Sequence, residues 1–230
     1  MNGDKMSSIL EIGKNKTKCQ KFTPSALVDT MLNLVNYNAD LMGKTILENS
    51  FGSGNIIKAI VVRYIEFKQQ FIEAYNGKCA YCGVSTEIIP WKMFEIDHLI
   101  PKEADRFGKS KANAGYIENL VLSCYDCNRS KSDLEFHDQE LHKIHPDKTE
   151  IIEAFIRDDN YYIRISEKKN GDKTIKEFYE KVDLGNQLHR LDYLLLNMRG
   201  LCKKITDKHP AYGKLMEAID LLQHKRNVMR

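Results

Sequence analysis

The stretch "FEIDHLIP", residues 94–101, alternates apolar and polar side chains and then meets a proline, so it reads as a strand that ends at Pro101. Taken alone, Asp97 beside His98 needs only a half-buried strand with a polar outer face. The flanks change that reading. Twelve residues upstream of the strand, "CAYCG" supplies Cys79 and Cys82, and some forty residues further on "CYDCN" supplies Cys124 and Cys127. Two Cys-x-x-Cys turns can aim four thiolates at one tetrahedral Zn²⁺, which leaves no position for water and makes the site structural. A redox dithiol or two disulfides would use the same residues. Against them stand the doubled spacing, the turn residues Asn76, Gly77 and Gly83, and the lack of a thioredoxin-like strand-helix unit.

The chain has 230 residues, enough for one large domain or two to three small ones. It contains no run of about eighteen apolar residues, so no membrane span is expected. The opening "MNGDKMSSILEIGKNK" lacks the apolar core of a signal peptide, and Cys19 and Cys202 read as unpaired thiols. Both point to a reducing cytoplasm. The net charge is only +3, and its distribution says more than its size. Residues 1–63 carry eight basic against five acidic side chains, residues 64–146 ten against thirteen, and residues 147–230 seventeen against fourteen. The middle thus holds the acids that metals want. Within it, "PKEADRFGKSKANAG" gathers Lys102, Arg106, Lys109 and Lys111, and from Arg199 onward eight basic residues face three acidic ones. Such runs follow phosphates or simply stay solvated.

Patterning divides the chain into three regions and places it in the α+β class. Residues 1–63 hold an amphipathic helix, "PSALVDTMLNLVNY", with Leu27, Met31 and Leu34 at helical spacing, then a strand including Ile46, a Gly-rich turn and a helix. Residues 64–146 hold a helix over 65–75, the cysteine turns and the strand. Residues 147–230 are mainly helical: "TEIIEAFIRD", a hairpin around "YYIRISEKKNGDKTI", and three further helices packed as a small bundle. In those helices Leu188, Leu191, Leu195 and Met198 recur at helical spacing, as do Leu215, Ile219 and Leu222.

With "EIDHLIP" at 95–101, "ENLVLSC" at 118–124 and "CNRSK" at 127–131 lying among the two cysteine pairs, residues 66–135 resemble the HNH endonucleases. That family has a small ββα-metal core. The resemblance implies that His98 is the general base, that Asp97 and Asn128 hold a catalytic Mg²⁺ or Mn²⁺, and that Asn119 holds the active-site loop and orients His98. It also implies a DNA substrate. The family's third letter is Asn128 here, and a neutral amide favours oxygen-loving Mg²⁺ or Mn²⁺ over softer metals. Lys131 stands where the family often has a basic residue, either on a phosphate or at a solvated helix end. Glu95 shares a face with Asp97 and could support it. His137, His142 and His145 read as loop or surface histidines.

The N-terminal "KCQKFTPSALVDTML" and "KTILENSFGSGNI" resemble the opening of amino-group DNA methyltransferases, through Phe22, Thr23 and Pro24, then Glu48, Gly52, Gly54 and Asn55. No two prolines are adjacent, so the Asn/Asp-Pro-Pro-aromatic loop of that family is missing, and too few residues precede the next region to complete its sheet. A truncated relic or docking module is expected, with no S-adenosylmethionine site. The size and helical final third also resemble the nuclease partners of Septu-type defence ATPases, which suggests a protein partner in a restriction or anti-phage system. A zinc-organised nucleic-acid-binding adaptor that cuts nothing, and a methyltransferase fragment, are the alternatives.

Overall fold

The computed structural model describes residues 24–35, 37, 55–108, 111–205 and 207–229. These fold as an α+β protein of short antiparallel strands and many helices. In chain order the elements are α1 (Ser25–Leu34), α2 (Asn55–Ala74), β1 (Phe94–His98), β2 (Leu120–Cys124), α3 (Tyr125–Lys131), α4 (Asp138–Ile144) and α5 (Thr149–Ala154). Then come β3 (Phe155–Arg157), β4 (Ile163–Ile165), α6 (Lys173–Lys181), α7 (Gln187–Cys202) and α8 (Tyr212–Val228). Packing separates residues Met1–Gln69 from residues Gln70–Arg230.

In the first unit Pro24 opens α1, its carbonyl accepting from the Leu27 and Val28 amides at 3.0 Å. The buried stripe of α1 is Val28 and Leu32, whereas Leu27, Met31 and Leu34 are exposed. The helix is as expected, but its apolar residues run round both sides, and the face one residue away from the expected one is covered. Arg63 of α2 ties the two helices together through the Asp29 carboxylate at 3.2 Å and the Tyr37 carbonyl. Of the residues that carry the methyltransferase resemblance, Phe22, Thr23, Glu48, Gly52 and Gly54 lie outside the described residues, as does Ile46.

In the second unit β1 and β2 pair antiparallel, with Phe94 opposite Cys124, Ile96 opposite Leu122 and His98 opposite Leu120. Both strands are almost wholly buried, and α3, which follows β2 directly, packs against both. This is the ββα unit. Helix α6 packs on α3, and α7 lies along α8. Two helix starts are capped by side chains: Asp172 accepts from the Thr174 and Ile175 amides ahead of α6, and Asn186 accepts from the Leu188 amide ahead of α7. Phe94, Leu122, Ile144, Phe178, Leu191 and Leu195 are among the most deeply buried side chains of the unit. The hairpin of the final third begins earlier than expected. Phe155–Arg157, which reads as helix in "TEIIEAFIRD", is the strand that pairs with Ile163–Ile165, because the cross-strand partner decides what a short apolar run becomes.

Candidate active site

The residues from Gly77 to Thr86 double back on themselves. Lys78 bridges Ser85, the Cys79 amide donates to the Val84 carbonyl at 2.9 Å, and the Thr86 amide donates to the Gly77 carbonyl at 2.8 Å. Gly77 holds φ +66°, where a Cβ would stand 2.7 Å from Thr86 Oγ1, so no other residue fits without displacing that side chain. The Ala80 amide donates to the Leu122 carbonyl at 2.8 Å, which lays this knuckle along β2. Cys124 ends β2 and Cys127 sits in the first turn of α3.

Four buried sulfurs therefore converge, all within 4.8 Å of one another, and they are the metal-competent cluster among the described residues. Cys82 and Cys124 are 3.8 Å apart at sulfur. Zn–S bonds of about 2.3 Å in a tetrahedron put neighbouring sulfurs about 3.8 Å apart, so the set fits Zn²⁺. The thiols of Cys82 and Cys127 are pushed well above their ordinary range, first by hydrogen bonding with Cys124. Four thiolates cannot share this volume without a cation to offset their charge.

The knuckle leads to a cleft of about 340 Å³ lined by Asp97, His98, Lys102, Glu103, Asn128 and Asp133, among others. Strand β1 supplies Asp97 and His98, and α3 supplies Asn128. Asp97 is 6% exposed, and its Oδ2 accepts from the Tyr81 hydroxyl at 2.7 Å and lies 3.4 Å from Lys131 Nζ. Burial raises its carboxyl above the ordinary value, with Lys131 and Tyr81 pulling the other way. The Asn128 amide nitrogen donates to Glu95 Oε2, which leaves the amide oxygen as the atom to offer a cation.

His98 is buried, and its Nε2 has no hydrogen-bond partner. Its pKa falls to about 4, chiefly through burial, with Lys102 and Lys131 adding to the effect and Glu103 opposing it. The imidazole is therefore neutral at neutral pH. Asn119 closes the segment that follows. Its Oδ1 accepts from the Ile100 amide at 2.7 Å, its Nδ2 donates to the Ile100 and Ala114 carbonyls at 3.0 and 2.9 Å, and its own carbonyl accepts from the Leu99 amide at 2.9 Å.

This geometry meets the comparisons with known proteins at the same residues. Residues 79–134 match the family model described as HNH endonuclease. This segment resembles an HNH endonuclease domain. The chain is also 36% identical over 70 residues to the CRISPR-associated endonuclease Cas9 of Corynebacterium diphtheriae, a match that covers 30% of this chain and 6% of that protein. No solved structure matches the chain.

Two basic residues of this segment are already engaged with neighbouring protein groups. Lys131 is 2% exposed, and Nζ donates to the His98 carbonyl at 2.8 Å and the Leu99 carbonyl at 3.4 Å besides pairing with Asp97. It is not a solvated helix end: it fastens α3 to the end of β1. Arg106 is held by Glu135, Asp138 and the Phe136 carbonyl, so its charge is already met. Lys102 lines the cleft. Lys109 lies outside the described residues, and of Lys111 only the backbone, in a short 3-10 turn, is described. His137 and His142 are exposed and His145 is bonded to the Glu118 carbonyl, away from any metal-competent cluster among the described residues. Tyr81 escapes a reading by motif, since attention falls on the cysteines around it. The available signal was its place in a buried chelate loop, where a tyrosine hydroxyl must find a partner.

Proposed function

We propose that the chain is a metal-dependent endonuclease that hydrolyses DNA phosphodiester bonds, with His98 as general base and Asp97 and Asn128 as the holders of a catalytic Mg²⁺ or Mn²⁺. The observation that carries this reading is that His98, whose buried Nε2 is unpartnered, lines the same cleft as Asp97 and Asn128, inside a segment that matches the HNH endonuclease model. Oxygen donors from a carboxylate and an amide suit a hard divalent ion. When bound, that ion supplies charge compensation for the scissile phosphate and the leaving oxygen.

The protein's own part is positional. Neutral His98 accepts a proton at Nε2 from the water whose oxygen attacks phosphorus. A phosphate brought beside the imidazole favours its protonated form and so raises a proton affinity that burial has lowered. Asn119 fixes the backbone of Ile100 at both its N–H and its C=O, which holds His98 at the end of β1. The structural role of Zn²⁺ at Cys79, Cys82, Cys124 and Cys127 belongs to the same proposal.

The biological setting we propose is restriction or anti-phage defence, with a protein partner. Support for it comes from the name of the Corynebacterium diphtheriae relative and from the resemblance of the size and helical final third to defence-system nucleases. The test is direct. Purified protein incubated with plasmid and Mg²⁺ or Mn²⁺ should nick or linearise it, and a chelator should stop the reaction. DNA binding without cutting in every metal condition would favour the adaptor reading instead.

A further inference from the structure

We propose that Tyr81 is a positioning residue for the cleft: its hydroxyl holds the Asp97 carboxylate, so the four-cysteine knuckle and helix α6 together set where the proposed cation is held. This rests on the function proposed above. Tyr81 lies between Cys79 and Cys82, and its backbone is therefore fixed by whatever fixes those two sulfurs. Its side chain is buried and spans two environments. The hydroxyl reaches Asp97 Oδ2 at 2.7 Å, and the ring meets the edge of Phe178, with centroids 5.7 Å apart and planes at 70°.

Phe178 is completely buried in α6 and also packs against Phe155 of β3 at 6.1 Å between centroids. The ring of Tyr81 thus cannot turn without disturbing the helical part of the unit. The hydroxyl donates to the carboxylate, and the packed ring keeps it there as a fixed donor. Asp97 receives two donors from two directions, Tyr81 from the knuckle and Lys131 from α3. Removing the first leaves Oδ2 to the lysine alone and lets the carboxylate swing toward α3. Partners of this kind typically alter metal affinity or activity by about 10-fold to 100-fold when lost.

The experiment is a Mn²⁺ titration of the zinc-loaded full chain, read by the electron paramagnetic resonance signal of free Mn²⁺, for wild type and Tyr81→Phe. The phenyl ring keeps the contact with Phe178. Expected is a loss of Mn²⁺ affinity of about 10-fold or more with zinc content and melting temperature close to wild type. Unchanged Mn²⁺ affinity in a zinc-loaded, folded Tyr81→Phe protein would overturn the inference. If Tyr81→Phe fails to load zinc, Phe178→Leu carries the test, since it keeps the hydroxyl but removes the ring edge that aims it: weaker Mn²⁺ binding supports the inference, and wild-type binding overturns it. Plasmid cleavage is scored separately. A wild type that binds Mn²⁺ and cuts nothing removes the proposed activity, while the Mn²⁺ comparison still decides the role of Tyr81.

Discussion

Two places in the Gln70–Arg230 unit bury an acid against a base with a histidine close by, and they differ in what surrounds them. At the end of β1, Asp97 pairs with Lys131 beside His98, whose Nε2 is unpartnered. Between α7 and α8, Asp192 pairs with Arg226, and His189, one turn earlier on α7, has an unpartnered Nδ1. Both histidines have their pKa lowered, in each case mainly by burial. The residue types are nearly the same. What separates them is that Asp97 and His98 line an open cleft with Asn128, and that the lysine also binds the two carbonyls that end the strand. Arg226 and Asp192 join one helix to another. A buried charge pair with a histidine is thus an ordinary structural fastening until a cleft gives the histidine something to act on.

The largest effect expected concerns the knuckle. Chelation of Zn²⁺ should remove folding free energy on the order of 10 kcal/mol. Hydrogen exchange followed after chelation should show the segment from Cys79 to Lys131 opening before α7 and α8. Simultaneous opening would erase the distinction between the two places, and a soluble, fully folded protein without zinc would refute a structural site. Cys79→Ser should act in the same direction and lower soluble yield.

Next come the histidines. His98→Ala should slow single-turnover cleavage by about 10²-fold to 10⁴-fold, the range for loss of a general base, with fold and DNA affinity retained. His189→Ala should leave that rate near wild type while lowering the melting temperature. Equal losses of rate in the two variants would show that burial, not the cleft, is what they share.

The pairs themselves give a smaller effect, read by denaturant unfolding. Lys131→Met and Arg226→Met should each cost about 3 kcal/mol of stability, because each leaves a carboxylate buried without its partner. At a temperature where both remain folded, only Lys131→Met should change cleavage.

The last effect is in pH. An imidazole held at a pKa of about 4 binds fewer protons folded than unfolded between that value and about 6.5. Its contribution to stability is therefore complete above about pH 6.5 and lost as pH falls toward 4. In metal-free protein, NMR titration should find His98 neutral well below pH 6, and His98→Ala should flatten the stability profile over that interval. A His98 midpoint at or above 6 would contradict its burial.

Much of the site is legible in the sequence because metal chemistry constrains neighbours in the chain. Cys79 with Cys82, Asp97 with His98, and Cys127 with Asn128 are each local spacings, and a turn or a strand end delivers them. What resists reading depends on partners far along the chain. Lys131 looks like a solvated helix end until the carbonyls of His98 and Leu99 come to it, and Arg106 looks free until Glu135 and Asp138 do. In α1 a helical period is present for Leu27 and Met31 and equally for Val28 and Leu32. Periodicity establishes the helix, while only packing chooses the side. The apolar run at Phe155–Arg157 became a strand because Ile163–Ile165 lay beside it.

The way Asn119 grips Ile100 has a consequence for how such a domain can be altered. One side chain gives Ile100 the pair of bonds that a neighbouring strand would give, and the Leu99 amide adds a third against the Asn119 carbonyl. The ends of the intervening loop are thus clasped together independently of what lies between them, and lengthening a closed loop adds only about 0.6 kcal/mol for each doubling. The stretch between Lys102 and Asn113 carries further anchors inside that clasp, since Ala104 and Phe107 are buried with Ile100 and Ala114 and Arg106 is tied to Glu135 and Asp138, so a foreign loop grafted there to redirect target choice would have to keep those residues as well as Ala114 and Asn119.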